Sequence, residues 1–133
     1  MRKAIIAVAI LALIAMTARF NRPAIRLEHA GASVVVHVET LGEYPTTIRR
    51  VQIKEISTGK VVYELLAENG APQIYNFKLV PGENSTHLAD PEPGSYRIDE
   101  PNGQNSFLLE PGVRYRLKIW GNGWLPSATD VQF

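Results

Sequence analysis

Strict alternation of apolar and polar residues recurs from residue 24 to the end of the chain, and it constrains the fold more than any other feature. Ile25 and Leu27 share one parity, with Arg26 and Glu28 on the other. Val34, Val36 and Val38 alternate with Val35, His37 and Glu39, and Val51 and Ile53 with Arg50, Gln52 and Lys54. The same period returns at Val61, Tyr63 and Leu65, at Tyr75, Phe77 and Leu79, and at Tyr96 and Ile98. It ends with Val113, Tyr115, Leu117 and Ile119, then Thr129, Val131 and Phe133. A period of two places one parity on each face of a strand, so each run is a strand with one buried and one wet face. After residue 20 no stretch keeps an apolar 3.6-residue period. Two antiparallel sheets packed face to face satisfy this pattern.

Turn signals punctuate the runs. His29-Ala-Gly31-Ala separates the first two strands, and Ser57-Thr58-Gly59-Lys60 is a tight hairpin with a glycine where positive φ is needed. Asn69-Gly70, Asn102-Gly103 and Asn122-Gly123 are further turns. Pro81–Gly94 is the longest irregular stretch and reads as a surface loop.

Ahead of this body lies a segment of another kind. Arg2 and Lys3 precede Ala4–Ala18, a run with no charge and nothing more polar than Thr17. A positive start followed by an apolar run is the pattern of an export leader. Its fifteen apolar residues would span about 22 Å as a helix, short of the ~30 Å hydrocarbon layer. Length therefore favours a cleaved signal peptide. The cleavage chemistry does not, because no small-x-small pair with Ala at both positions ends the run. Cleavage and retention as an anchor both stay open. The expected organisation is residues 1–20 as signal peptide or anchor, 21–23 as a short linker, and 24–133 as one domain. The destination is periplasmic or extracellular, with inner-membrane anchoring if the leader is kept.

The chain has no cysteine. A lipid-modified cysteine after the leader and a disulfide framework are both excluded. Charge also separates by region: residues 24–133 carry ten Lys or Arg against thirteen Asp or Glu, a net −3, although the whole chain is +1. A mildly acidic body offers no overall electrostatic footprint for nucleic acid.

The segment Leu109-Glu-Pro111-Gly112-Val113-Arg114-Tyr115-Arg116-Leu117-Lys118-Ile119 resembles the E–F corner of fibronectin type III domains. Leu109, Pro111, Gly112, Tyr115, Leu117 and Ile119 carry the likeness. The resemblance implies a tyrosine corner, with the Tyr115 ring in the core and its hydroxyl bonded back to the turn backbone. Val51–Leu65 is similar to the C–C′ hairpin of the same fold, and 128–133 to strand G. The tryptophan usual in strand B is missing. Relative to that pattern about twenty residues are added between C′ and E, including Tyr75–Leu79 and Tyr96–Ile98. Pro93-Gly94-Ser95-Tyr96-Arg97-Ile98 is also similar to a strand of transthyretin-like sandwiches. The expected fold class is all-β: an Ig-like, fibronectin type III-like antiparallel β-sandwich behind one apolar N-terminal helix.

Residues for catalysis are sparse. There is no cysteine nucleophile and no Gly-x-Ser-x-Gly elbow, and His29, His37 and His87 are the only imidazoles. A metal site from His29 and His37 needs both on one face plus a third ligand. The pairs Asp90/Glu92 and Asp99/Glu100 are too close in sequence to face each other. Asp99–Asn105 lacks the spacing of a calcium loop. No enzyme activity, metal or cofactor is expected. The most suggestive stretch is Trp120-Gly121-Asn122-Gly123-Trp124 at the expected F–G loop. An exposed Trp can anchor a protein interface or stack on a sugar. Alternatively, Trp124 plugs one end of the sandwich and Trp120 lies over Arg or Lys stems. Tyr44, in the expected B–C loop, belongs to the same end. The expected ligand-binding residues are thus Trp120, Asn122, Trp124 and Tyr44. The expected role is an envelope interaction module for a protein or glycan, with strand-edge assembly as the alternative. No nucleic acid is expected as a partner, and membrane contact only through residues 4–18 if uncleaved.

Overall fold

The computed structural model describes residues 1–20, 23–39, 48–68, 76–81, 96–100, 107–121 and 125–133. The elements run α1 (Arg2–Phe20), β1 (Ala24–Ala30), β2 (Ser33–Glu39), β3 (Arg50–Glu55), β4 (Val61–Ala67), β5 (Asn76–Leu79), β6 (Tyr96–Glu100), β7 (Arg114–Trp120) and β8 (Ser127–Gln132). The strands form two antiparallel sheets, one in the order β1-β2-β5 and one in the order β6-β4-β3-β7-β8.

The period-two pattern sets which side of each sheet is dry. Val34, Val36, Val38, Phe77 and Leu79 come from the three-stranded sheet, and Val51, Ile53, Tyr63, Leu65, Tyr115, Leu117, Ile119 and Val131 from the five-stranded one. All belong to one buried cluster, an arrangement compatible with a β-sandwich. Ile48, Phe107 and Leu109 complete the core from segments beside the strands. The Phe107 ring lies 4.3 Å from the Tyr63 ring, centroid to centroid. Burial pushes the Tyr63 hydroxyl up to about 12, so it stays protonated.

Turns sit where glycine permits them. Gly31 and Gly59 have φ of 65° and 73°, in the left-handed region. At the β3–β4 hairpin Glu55 N–H donates to the Lys60 carbonyl at 2.8 Å, and Gly59 N–H donates to the Glu55 carbonyl at 3.0 Å. Before β7, Gly112 takes φ 79°. There the Tyr115 hydroxyl accepts a 2.8 Å hydrogen bond from Glu110 N–H, the tyrosine-corner contact expected from Leu109–Ile119.

The stretch expected as an addition, including Tyr75–Leu79 and Tyr96–Ile98, supplies two strands. Phe77 and Leu79 belong to β5, which pairs with β2, whereas Tyr96 and Ile98 belong to β6, which pairs with β4. The two strands therefore extend different sheets. The turns at Asn69-Gly70, Asn102-Gly103 and Asn122-Gly123 lie outside the described residues, as does residue 82 onward of the Pro81–Gly94 loop.

Among the described side chains, α1 contributes none to this core. Its side chains from Met1 to Met16 are exposed, and its apolar residues surround the axis rather than forming one stripe. A core helix is therefore not its role. Among the described residues, no helix is long and apolar enough to cross a membrane.

Candidate binding face

Trp120 ends β7 and stands directly opposite Arg50, the first residue of β3. The Arg50 guanidinium carbon lies 4.5 Å from the indole centroid, a cation–π contact. The same guanidinium donates through Nη2 to Glu64 Oε2 at 2.8 Å. Gln52 Nε2 donates to that oxygen at 2.7 Å. Trp120, Arg50 and Glu64 are thus linked by contacts across β7, β3 and β4 on the wet face, with Glu64 standing diagonally from Arg50 and opposite Gln52. Burial alone would raise the Glu64 carboxyl, but the Arg50 and Gln52 hydrogen bonds and the Arg50 charge hold it below its ordinary value. Arg50 Nε is buried without a hydrogen-bond partner.

Of the two expectations for Trp120, contact with an arginine is what the fold produces. Outward parity is correct, because Ile119 is buried and Trp120 is not. The ring is only half-buried, with one face taken by Arg50. Sequence parity could not reveal this partner, since Arg50 is seventy residues away and meets Trp120 only through β3–β7 register. Asn122, Trp124 and Tyr44 lie outside the described residues.

Residue 50 opposite residue 120 means that the chain enters β3 and leaves β7 at one end of the sheet. Ser127 Oγ, at the start of β8, donates to the Pro23 carbonyl just before β1. The chain therefore enters β1 at that end as well. Pro23 is buried there, and Leu125 and Pro126 are half-buried.

Further along the wet face of the same sheet, Arg114, Arg116 and Lys118 line β7, beside Lys54 on β3. Asp130 on β8 accepts from Arg116 Nε at 2.9 Å and from Arg114 Nη2 at 3.5 Å. The Arg116 hydrogen bond, with the Arg116 and Arg114 charges, outweighs desolvation and holds the Asp130 carboxyl below its ordinary value. At the far end of β7 an open cavity of about 410 Å³ is lined by Ile56, Ser57, Gly112, Val113 and Arg114.

On the three-stranded sheet, Glu28 Oε2 and His37 Nε2 lie 2.8 Å apart. Arg26 Nε reaches Glu39 at 3.3 Å. His37 pairs with Arg26 and His29 with Val34, so the two histidines have opposite parity and cannot share a metal ion. Among the described residues no three His, Asp or Glu side chains gather as a metal site. Compared with known proteins, the chain matches no protein-family model and no curated protein.

Proposed function

We propose that this chain is an exported, non-enzymatic interaction module of a cell envelope, built as a fibronectin type III-like, Ig-like sandwich. It binds an envelope protein or glycan through the connection between β7 and β8, with Trp120, Asn122 and Trp124 as contacts and Tyr44 alongside. One observation supports the reading: Arg50 stands opposite Trp120, so the chain enters β3 and leaves β7 at the same end of the sheet. Loops gathered at one end of such a sandwich are its usual recognition surface.

The sheet orders support the fold assignment. β1-β2-β5 matches A-B-E, and β3-β7-β8 matches C-F-G, with β4 in the position of C′ and β6 added outside it. The tyrosine corner before β7 supports it independently. Export rests on the positive start and the apolar run of α1. Residues 1–20 form the leader, 21–23 the linker and 24–133 the domain. The leader is either removed, leaving a periplasmic or extracellular protein, or kept as an inner-membrane anchor.

Pull-down from an envelope extract tests the site. Trp120→Ala and Trp124→Ala together are expected to release the captured partner; a partner retained by the double variant refutes the loop as its seat. N-terminal sequencing of fractionated protein tests the leader. A mature start near Arg19 or Phe20 means cleavage, and an intact Met1 in the membrane fraction means anchoring.

A further inference from the structure

The wet face of the five-stranded sheet is charged against the sign of the domain. On β3, β4, β7 and β8 it presents Arg50, Lys54, Arg114, Arg116 and Lys118 against Glu64 and Asp130. That is five cations to two carboxylates, leaving five cations to eleven carboxylates for the rest of residues 24–133. The wet positions of β3, β4, β7 and β8 thus carry +3 in a body whose sum is −3.

The cations form a strip two strands wide. Residues of one parity repeat about every 6.8 Å along β7, and β3 lies about 4.8 Å to the side. Lys54 stands opposite Arg116, a like-charge pair. The nearby carboxylate of Asp130 is already bonded to Arg116 and Arg114. Lys118 has Gln52 on one side and Ala128 on the other. Lys54 and Lys118 make no ion pair among the described residues, so their charge is available to an external anion.

We propose that this strip binds an extended anionic polysaccharide lying along β7 and β3. Two observations select that partner from other polyanions. Asp130 on β8 and Glu64 on β4 neutralise Arg116, Arg114 and Arg50 along the strip, so the free charge of Lys54 and Lys118 lies along the strands and suits a linear chain more than a flat anionic bilayer. Single-stranded nucleic acid needs exposed rings for its bases. Trp120, the one aromatic residue described on this face, has one ring face taken by Arg50, which leaves a single stacking surface where successive bases need several. This surface is separate from the β7–β8 connection and does not depend on it.

The test uses the full chain in neutral detergent. Dextran sulfate and polygalacturonate are the probes, with neutral dextran, single-stranded DNA and phosphatidylglycerol vesicles as competitors. The expected result is binding to one or both anionic polysaccharides that weakens linearly in log affinity with log salt. The Lys54→Glu/Lys118→Glu double variant is expected to lose on the order of tenfold or more. Lys78→Glu, exposed on β5 of the other sheet, is expected to bind as the unaltered chain does. Circular dichroism and urea midpoints establish that all three are folded. Sulfate-only or carboxylate-only binding names the anionic group and supports the strip. Absence of binding to both polysaccharides, equal loss in Lys78→Glu, or undiminished binding in the folded double variant overturns it. Equal or tighter binding to DNA or vesicles overturns the choice of polysaccharide.

Discussion

Arg50 lies over the indole of Trp120, 4.5 Å from its centroid, and so joins the end of β7 to the start of β3 on the wet face. The contact changes what Trp120 can do. A ring held on one face by a guanidinium that also bonds Glu64 is a fixed wall beside the β7–β8 connection. It leaves one face and the ring edge for a partner.

A double-mutant cycle between Arg50→Ala and Trp120→Ala measures that coupling. The expected value is about 0.5–1 kcal/mol in urea unfolding, as for a partly exposed cation–π pair. Arg50→Ala should also make the tryptophan fluorescence more accessible to iodide. Strict additivity with unchanged quenching would mean that the contact does not hold Trp120.

Tyr115→Phe removes the hydroxyl that accepts from Glu110 N–H and leaves that amide without this acceptor. The expected cost is about 1–2 kcal/mol, read as a lower urea midpoint with unchanged slope. Leu117→Ala, at a fully buried position of the same strand, is expected to cost more, about 2–5 kcal/mol. The reverse order would mean that the corner, rather than the core, limits stability.

Glu64 sets an acid-side dependence. Its folded carboxyl titrates below its ordinary value of 4.5. The stabilisation is full above that unfolded value and is lost as pH falls through the lowered folded value. At pH 6, Glu64→Gln should be less stable than the unaltered chain by about 1 kcal/mol, since the pair is partly exposed. The difference should shrink toward pH 3. Asp130 is present in both proteins and cancels from the comparison. A difference independent of pH would assign the loss to packing.

Leader retention makes a geometric prediction. Three peptide steps separate Phe20 from Pro23, a reach of about 11 Å. Pro23 is at the Trp120 end of the sandwich, through the Ser127 hydroxyl. The β3–β4 turn lies at the other end of β7, about 20 Å away. In a membrane-retained chain, a fluorophore on Arg49→Cys should be quenched by lipid-borne spin labels more than one on Ser57→Cys. Equal quenching would place the Trp120 end no nearer the lipid, and so favour a partner approaching from solution.

Removing residues 130–133 does not separate strand-edge assembly from folding. Val131 is buried, and the Phe133 ring sits 6.3 Å from that of Tyr115. The deletion should lower the urea midpoint in a monomer. Sedimentation of the intact chain addresses assembly directly, and a concentration-dependent dimer would favour the edge reading.

Strand content and facing were legible because a period of two needs only neighbouring residues. Val34, Val36 and Val38 turn inward, as do Tyr115, Leu117 and Ile119. The Leu109–Ile119 pattern likewise located the tyrosine corner, since all its parts are within one short segment. Ile48 and Phe107 were not legible as core, because each lies outside the alternating strand runs and is buried by residues distant in sequence, as Phe107 is against Tyr63. Of the four expected contact residues, parity correctly turned Trp120 outward, and its arginine cover could not be read.

The amino-acid sequence by itself determined the apolar N-terminal run, the absence of disulfides and the dry side of the core strands. These are local properties of periodicity and composition. Only the tertiary structure decided that β5 and β6 go to different sheets, that Arg50 meets Trp120, and that cations gather on one face of an acidic body. Each of those depends on the register between strands far apart in the chain. Hydrogen bonding and burial across the assembled sheets set that register, and no single segment encodes it.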